Sequence, residues 1–231
     1  MKKARKHKVR RILTVDVGGT HVKFEVGGHT ERREFPSDPQ LSARKMVAMV
    51  RRMTADWRYD VVSIGYPGVV LRDRVVAEPH NLGPGWRRFD FAKAFGCPVK
   101  VVNDAVMQAL GSYQGGRMLF LGLGTGLGSA MIVDGVIAPM ELAHLPYRNG
   151  KTFENYVGAA GLKRLGRNKW RKHVVDVIER LTAALEPEYV VLGGGNADKV
   201  GKKLPRHPRM VSNDIAFEGG TKLWSESAGR R

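Results

Sequence analysis

Ile12-Leu13-Thr14-Val15-Asp16-Val17-Gly18-Gly19-Thr20 is an apolar run that ends in a glycine turn, and His21-Val22-Lys23-Phe24-Glu25-Val26 alternates behind it. The design returns at Met118-Leu119-Phe120-Leu121-Gly122-Leu123-Gly124-Thr125-Gly126-Leu127-Gly128, followed by Ser129-Ala130-Met131-Ile132-Val133. Both read as strand, tight turn, strand. Glycine lets backbone N–H groups approach an anion, and threonine adds a hydroxyl donor. Two such turns facing each other would grip a phosphate chain from both sides. A pair of ordinary hairpins is the plainer alternative, since glycine is routine in hairpin turns. The glycines at 122, 124, 126 and 128 are spaced by two, and a strand follows them, so a dinucleotide fingerprint is excluded; no P-loop sequence is present either.

Working outward, residues 41–53 carry helical spacing, and Val61-Val62-Ser63-Ile64-Gly65-Tyr66-Pro67-Gly68 reads as a buried strand entering a turn. Residues 79–86 are loop, and Val99-Lys100-Val101-Val102 is a short strand ending at Asn103-Asp104. Val106, Ala109, Leu110 and Tyr113 mark a helix face, and residues 136–138 a short strand before a loop over 140–149. Val174, Val177, Ile178, Leu181 and Leu185 stripe a helix that stops before Pro187. Tyr189-Val190-Val191-Leu192 then runs into Gly193-Gly194-Gly195, and a closing helix is expected over about 213–224. The two halves suggest two related α/β lobes. The expected division is a basic tail over 1–11, one lobe over 12–103, a second over 104–212, and a closing segment over 213–231 that returns to the first lobe.

The 231 residues carry a net charge of +17, which attracts polyanions. The charge is clustered in the tail, again at Lys163, Arg164, Arg167, Lys169, Arg171 and Lys172, and again at Lys199, Lys202, Lys203, Arg206 and Arg209. The last two groups flank the third glycine turn. Nucleic acid is not the expected partner, because the basic residues are not interleaved regularly with aromatics. No apolar run reaches the ~18 residues of a membrane span. The basic start resembles a signal-peptide n-region, but Asp16 breaks the apolar segment behind it, and a cytoplasmic setting is expected. The single Cys97 excludes an internal disulfide and a multi-cysteine zinc site.

Asp16 ends an apolar strand beside the first turn. It either caps its own turn or holds Mg²⁺, which favours one or two carboxylates plus phosphate oxygens, and the neighbouring phosphate turn favours the cation. Asp104 stands between strand and helix, as an N-cap or as a general base, and the residues alone leave that choice open. Asn103 beside it suits a polyol. Glu141, His144 and Glu154 read by themselves as loop residues, and zinc is not expected there.

Asp16-Val17-Gly18-Gly19-Thr20, Val102-Asn103-Asp104-Ala105, Leu123-Gly124-Thr125-Gly126-Leu127-Gly128-Ser129, Glu141-Leu142-Ala143-His144 and Leu192-Gly193-Gly194-Gly195 stand in the order seen in the ROK sugar kinases. The resemblance spans about residues 12–224 and within that family is strongest to the polyphosphate glucokinases. It implies an α/β, two-lobed, actin-like ATPase (ribonuclease H-like) fold with the active-site cleft between the lobes. It implies transfer of a phosphoryl group from polyphosphate or ATP to the 6-hydroxyl of glucose, with Mg²⁺ as cofactor. Asp104 would be the base, and Asn103, Glu141, His144 and Glu154 would hold the sugar. Asp16, Gly18, Gly19, Thr20, Lys23, Gly124, Thr125 and Gly126 would bind phosphate, with Asp16 also the metal ligand, and Gly193, Gly194 and Gly195 would border the donor. The cysteine-rich zinc motif of many members is missing, and Ala143 replaces a glycine. A related ATP-dependent kinase acting on mannose or N-acetylmannosamine is the alternative. A sugar-responsive regulator is less expected, because such members carry a DNA-binding domain before the first turn. The resemblance favours a homodimer.

Overall fold

The computed structural model describes residues 10–27, 31–201, 204 and 208–225. Most of the basic tail, Lys202, Lys203 and Arg206 lie outside the described residues. In chain order the first half holds β1 (Ile12–Val17), β2 (His21–Val26), β3 (Arg32–Pro36), α1 (Ala43–Met53), β4 (Val61–Tyr66), β5 (Val70–Leu71), β6 (Arg74–Val75), α2 (Phe91–Phe95) and β7 (Val99–Asn103). The second holds α3 (Asp104–Ser112), β8 (Arg117–Leu123), β9 (Leu127–Val133), β10 (Val136–Met140), α4 (Phe153–Val157), α5 (Ala159–Leu185), β11 (Tyr189–Gly193), β12 (Arg209–Met210) and α6 (Ile215–Lys222).

Two mixed five-stranded sheets result, in the orders β3-β2-β1-β4-β7 and β10-β9-β8-β11-β12. In each, an antiparallel hairpin stands beside a parallel strand: β1 pairs β2 and β4, while β8 pairs β9 and β11. The central strands are buried along almost their whole length, which is why they read as continuous apolar runs. α1 covers the first sheet through Ala43, Met46, Val47 and Val50, the spacing of one helical face, and Ser42 caps it by accepting from Lys45 N–H.

Strand β3 was not legible in the sequence: Arg32-Arg33-Glu34-Phe35-Pro36 is mostly polar because it is an edge strand, with only Phe35 buried. The helix read from its 174–185 stripe begins much earlier, at Ala159, with a break at Gly166 where the backbone turns to φ 71°.

Helices α3 and α6 join the two sheets. They pack closely because Gly219 carries no side chain where a Cβ would strike the Met107 carbonyl of α3. Lys222 Nζ donates to the carbonyls of Leu110, Gly111 and Tyr113 at 3.1, 2.7 and 3.3 Å, closing the C-terminal end of α3. On its other side α6 meets the first sheet, where Ser63 Oγ donates to Gly220 O at 2.6 Å and Trp224 Nε1 donates to Ser63 Oγ at 2.9 Å.

Candidate active site

Asp16 ends β1 opposite Gly65 of β4, and the missing side chain at Gly65 leaves room for the Asp16 carboxylate and for Met107 of α3. Among the described residues no hydrogen bond reaches that carboxylate. Burial, and then the negative charge of Asp104, push the Asp16 carboxyl up to about 7, against the weaker pull of Lys23 and Arg32. Lys23 lies directly across the hairpin from Asp16 and 3.9 Å from Glu34.

The strand-to-helix junction shows which residue caps α3. Asn103 is the N-cap: its Oδ1 accepts from Ala105 N–H at 2.9 Å and Val106 N–H at 3.4 Å, and its Nδ2 donates to Gly68 O at 3.1 Å. Asp104 is the first helical residue, and its Oδ1 accepts from Ala105 N–H at 2.8 Å. Burial pushes its carboxyl up to about 6; the Ala105 N–H opposes this and the charge of Glu141 adds to it. Asp16, Asp104 and Glu141 therefore form one electrostatic group drawn from β1, α3 and the end of β10.

The first glycine turn is closed by Gly18 N–H to His21 O at 3.0 Å and braced by Ser37, whose Oγ donates to Gly18 O at 2.7 Å and whose N–H donates to Thr20 O at 2.9 Å. Ser37 was missed in the sequence because it follows an unrecognised edge strand. The second turn is closed by Gly124 N–H to Gly126 O at 3.1 Å. Among the described residues the N–H groups of Gly19, Thr20, Thr125 and Gly126 have no partner. A Cβ at Gly19 or at Gly124 would meet nothing within 4 Å. Open donors beside open space suit an anion.

Other predicted residues gather around the second turn. Glu154, on α4, lies against Gly126 and accepts from Leu127 N–H at 3.4 Å. The third glycine turn is packed on the same backbone: Gly194, at φ 87°, has the main chain of Leu123 where a Cβ would stand, and Asn196 Nδ2 donates to Gly124 O at 3.1 Å. Gly193 ends β11 opposite Gly122, and Gly195 has open space beside it. Glu141 and His144 flank a short 3-10 turn, with His144 Nε2 4.0 Å from Glu141 and both side chains exposed.

Of the basic groups, Arg167 and Arg171 donate to the carbonyls of Lys199 and Val200 at 2.8 and 2.7 Å, which joins the 163–172 cluster to Lys199 just past the third glycine turn. Arg209 points elsewhere, to Ser112 O at 2.9 Å.

The residues fit magnesium. Asp16 offers a carboxylate without a hydrogen-bond partner, and oxygen is the ligand Mg²⁺ prefers. No cluster of three or more His, Cys, Asp or Glu that could cage a metal occurs among the described residues, so the remaining ligands would be phosphate oxygens and water.

Two α/β units, each opening on a strand–glycine turn–strand and joined through α3 and α6, make the two-lobed actin-like ATPase fold of the ROK sugar kinases. The chain belongs to the ROK family, whose profile matches residues 12–139. It is 29% identical to a polyphosphate glucokinase of Mycobacterium tuberculosis over 221 residues, covering 85% of this chain and 82% of that one. It is 30% identical to a glucokinase of Pyrobaculum calidifontis over 256 residues, covering 85% and 84%. Among solved structures, an inorganic polyphosphate/ATP-glucomannokinase from Arthrobacter sp. strain KM superposes with a TM-score of 0.79 at 24% identity, covering 96% of this chain and 100% of that one. No helix among the described residues is long and apolar enough to cross a membrane.

Proposed function

We propose that the chain is a glucokinase that moves the terminal phosphoryl group of polyphosphate, ATP or both onto the 6-hydroxyl of glucose. The observation that carries this reading is Asp104, a buried carboxylate at the first position of α3 behind the Asn103 N-cap, whose negative charge acts on Asp16 beside the first glycine turn. The class, a phosphotransferase with an alcohol acceptor, is that of the named relatives.

Asp104 takes the proton of the 6-hydroxyl. A carboxyl held at about 6 is ionised at neutral pH yet basic enough to accept a proton as the oxygen attacks. Asn103 keeps one amide hydrogen beyond its bond to Gly68, and with Glu141, His144 and Glu154 it holds the sugar hydroxyls. Donor oxygens lie on the free N–H groups of Gly19, Thr20, Thr125 and Gly126, with Lys23 beside Asp16 and Gly193 to Gly195 at the border. Asp16 would hold Mg²⁺, which would supply charge neutralisation at the donor. Little covalent help is needed for phosphoryl transfer, so positioning and charge account for the rate.

The polyphosphate assignment draws on the relatives' names and on the basic face of α5 joined to Lys199. Mannose is the second acceptor, because the Arthrobacter protein is named a glucomannokinase. A homodimer and a cytoplasmic setting complete the proposal, and sedimentation at micromolar concentration tests the dimer.

The deciding experiment follows hexose 6-phosphate formation with Mg²⁺, comparing ATP and polyphosphate, with Asp104→Asn as control. Product that falls ~10²–10⁴-fold in the variant supports the base. Near wild-type turnover in the variant removes Asp104 from the mechanism. The KM for polyphosphate is expected to climb steeply with salt through counterion release; a flat response would remove the basic track.

A further inference from the structure

The turn that connects the two halves of the acceptor loop is tied to α5 by side chains that the phosphoryl chemistry does not use. Residues 145–152 fold back on themselves: Tyr147 N–H donates to Lys151 O at 2.8 Å, Lys151 N–H to Arg148 O at 2.9 Å, and Phe153 N–H to Leu145 O at 3.1 Å. Glu141 and His144 precede this turn and Glu154 follows it. Tyr147 leaves the turn and lies on α5, its hydroxyl 2.6 Å from Asp176 Oδ2 and 2.9 Å from His173 Nδ1. Its ring meets Phe153, Tyr156 and His173 edge-on, with centroids 5.3, 5.0 and 5.7 Å away. Asp176 also accepts from Arg180 Nε at 3.0 Å and from Arg148 at 3.4 Å.

Counting protons gives this knot a direction. Burial works against ionisation at Asp176, but the Tyr147 hydroxyl and Arg180 outweigh it and hold the carboxyl below its ordinary value. Asp176 is therefore an acceptor only. A phenol has one proton, and it goes to Asp176. The Tyr147 oxygen must then accept from His173, which fixes the imidazole as the Nδ1–H tautomer. Burial and then Arg148 lower the His173 pKa, so the ring is neutral near pH 7. The result is a one-way chain, His173 to Tyr147 to Asp176, in which each bond polarises the next.

We propose that Tyr147, His173 and Asp176 are positioning residues that fix the acceptor loop and thereby set hexose affinity without touching the sugar. This rests on the acceptor assignment of Glu141, His144 and Glu154 above. Glu141 and His144 have side chains 55% and 69% exposed, and among the described residues those side chains share a 4.0 Å approach to each other, so the backbone beneath them does most to fix where they point. A grip made of exposed side chains is only as precise as the segment carrying it. The knot anchors that segment midway between its functional ends.

Tyr147→Phe removes one oxygen and keeps the ring contacts. Its hexose KM is expected to rise about tenfold, the effect of losing one hydrogen bond to a charged acceptor. Donor KM and kcat should stay within about twofold, while amide exchange quickens over 141–154 and not over 12–26. Asp176→Asn, which keeps the shape and an acceptor, should move the same quantities less. The double variant should cost less than the sum of the two single ones, because both break the Tyr147–Asp176 bond. A lower Tm with hexose KM and loop exchange unchanged would overturn the proposal, as would an equal rise in both KM values. A wild-type chain that phosphorylates no hexose with either donor would sink the kinase reading and the affinity claim together. Loop exchange in Tyr147→Phe would then decide alone whether the knot holds the loop.

Discussion

The two lobes place different chemistry at the same point of the same framework. Asp16 stands two residues before Gly18 and pairs with Gly65 of the parallel neighbour, while Gly122 stands two residues before Gly124 and pairs with Gly193. One lobe puts a carboxylate there, and the other puts nothing. The first turn is correspondingly bare, braced among the described residues by Ser37, whereas the second is packed by Glu154, Ala159, Gly194 and Asn196. On the proposed reading the difference divides the labour: the first lobe would contribute charge for a cation, and the second a rigid set of backbone donors.

The largest test of that division is Asp16→Asn. If Asp16 holds the cation, turnover should fall by about two orders of magnitude or more, the scale of removing a group that stabilises transition-state charge. Stability should move the other way. Asp16 and Asp104 both have folded values above the unfolded 3.8, at about 7 and about 6. Between about pH 4 and 7 the native state thus holds protons that the unfolded chain has lost, and the contribution of these groups to stability declines as pH rises through that window. Without Mg²⁺, the Tm of Asp16→Asn at pH 8 should exceed wild type by a few degrees, and the gap should close toward pH 4. A variant less stable at pH 8 would mean that the carboxylate is satisfied by the fold. The activity of the wild type should rise with pH through about 6 as Asp104 ionises, which a pH profile of kcat/KM reads directly.

Gly122→Asp puts the charge of the first lobe into the second. A Cβ at Gly122 would approach the Phe120 ring at 3.3 Å, and no cation is assigned there. The expected cost is ~2–4 kcal/mol from an unpaired, partly buried charge and crowding, measured by urea unfolding. Near-neutral stability would mean that the second lobe also tolerates charge at this point. Gly194→Ala attacks the rigid donor set instead. Its positive φ and the Leu123 backbone together predict a loss of ~1–3 kcal/mol, with donor KM raised more than hexose KM.

Much of this framework was readable because burial writes itself into sequence. Strands β1, β4, β8 and β11 are sealed on both faces and appear as apolar runs, and close backbone approach demands glycine at Gly18 and Gly194 in the turns that follow β1 and β11. What was hidden is what solvent-exposed edges and distant pairings conceal. β3 presents Arg32, Arg33 and Glu34 and has no alternating apolar face to betray it. The capping choice at 103–104 depended on side-chain direction, since either residue type caps well. The Tyr147 knot joins residues 26 and 29 apart, and no local pattern pairs a loop tyrosine with a helical aspartate.

The smallest effect expected is at Ser37, and it separates the lobes most cleanly. Its hydroxyl makes one hydrogen bond, to Gly18 O, and its loss should cost about 1 kcal/mol or less of global stability. The Ser37 backbone N–H keeps its bond to Thr20 O, so Ser37→Ala loosens the first turn without detaching it. The second turn has no comparable dependence on one side chain, because Asn196, Glu154 and the Ala159 N–H hold it in parallel. Amide exchange in Ser37→Ala should therefore quicken at 18–20 and stay unchanged at 124–126, while Asn196→Ala should leave both turns close to wild type. If the two variants loosen their turns equally, the first turn has bracing beyond Ser37, and the contrast between a bare lobe and a packed one is lost.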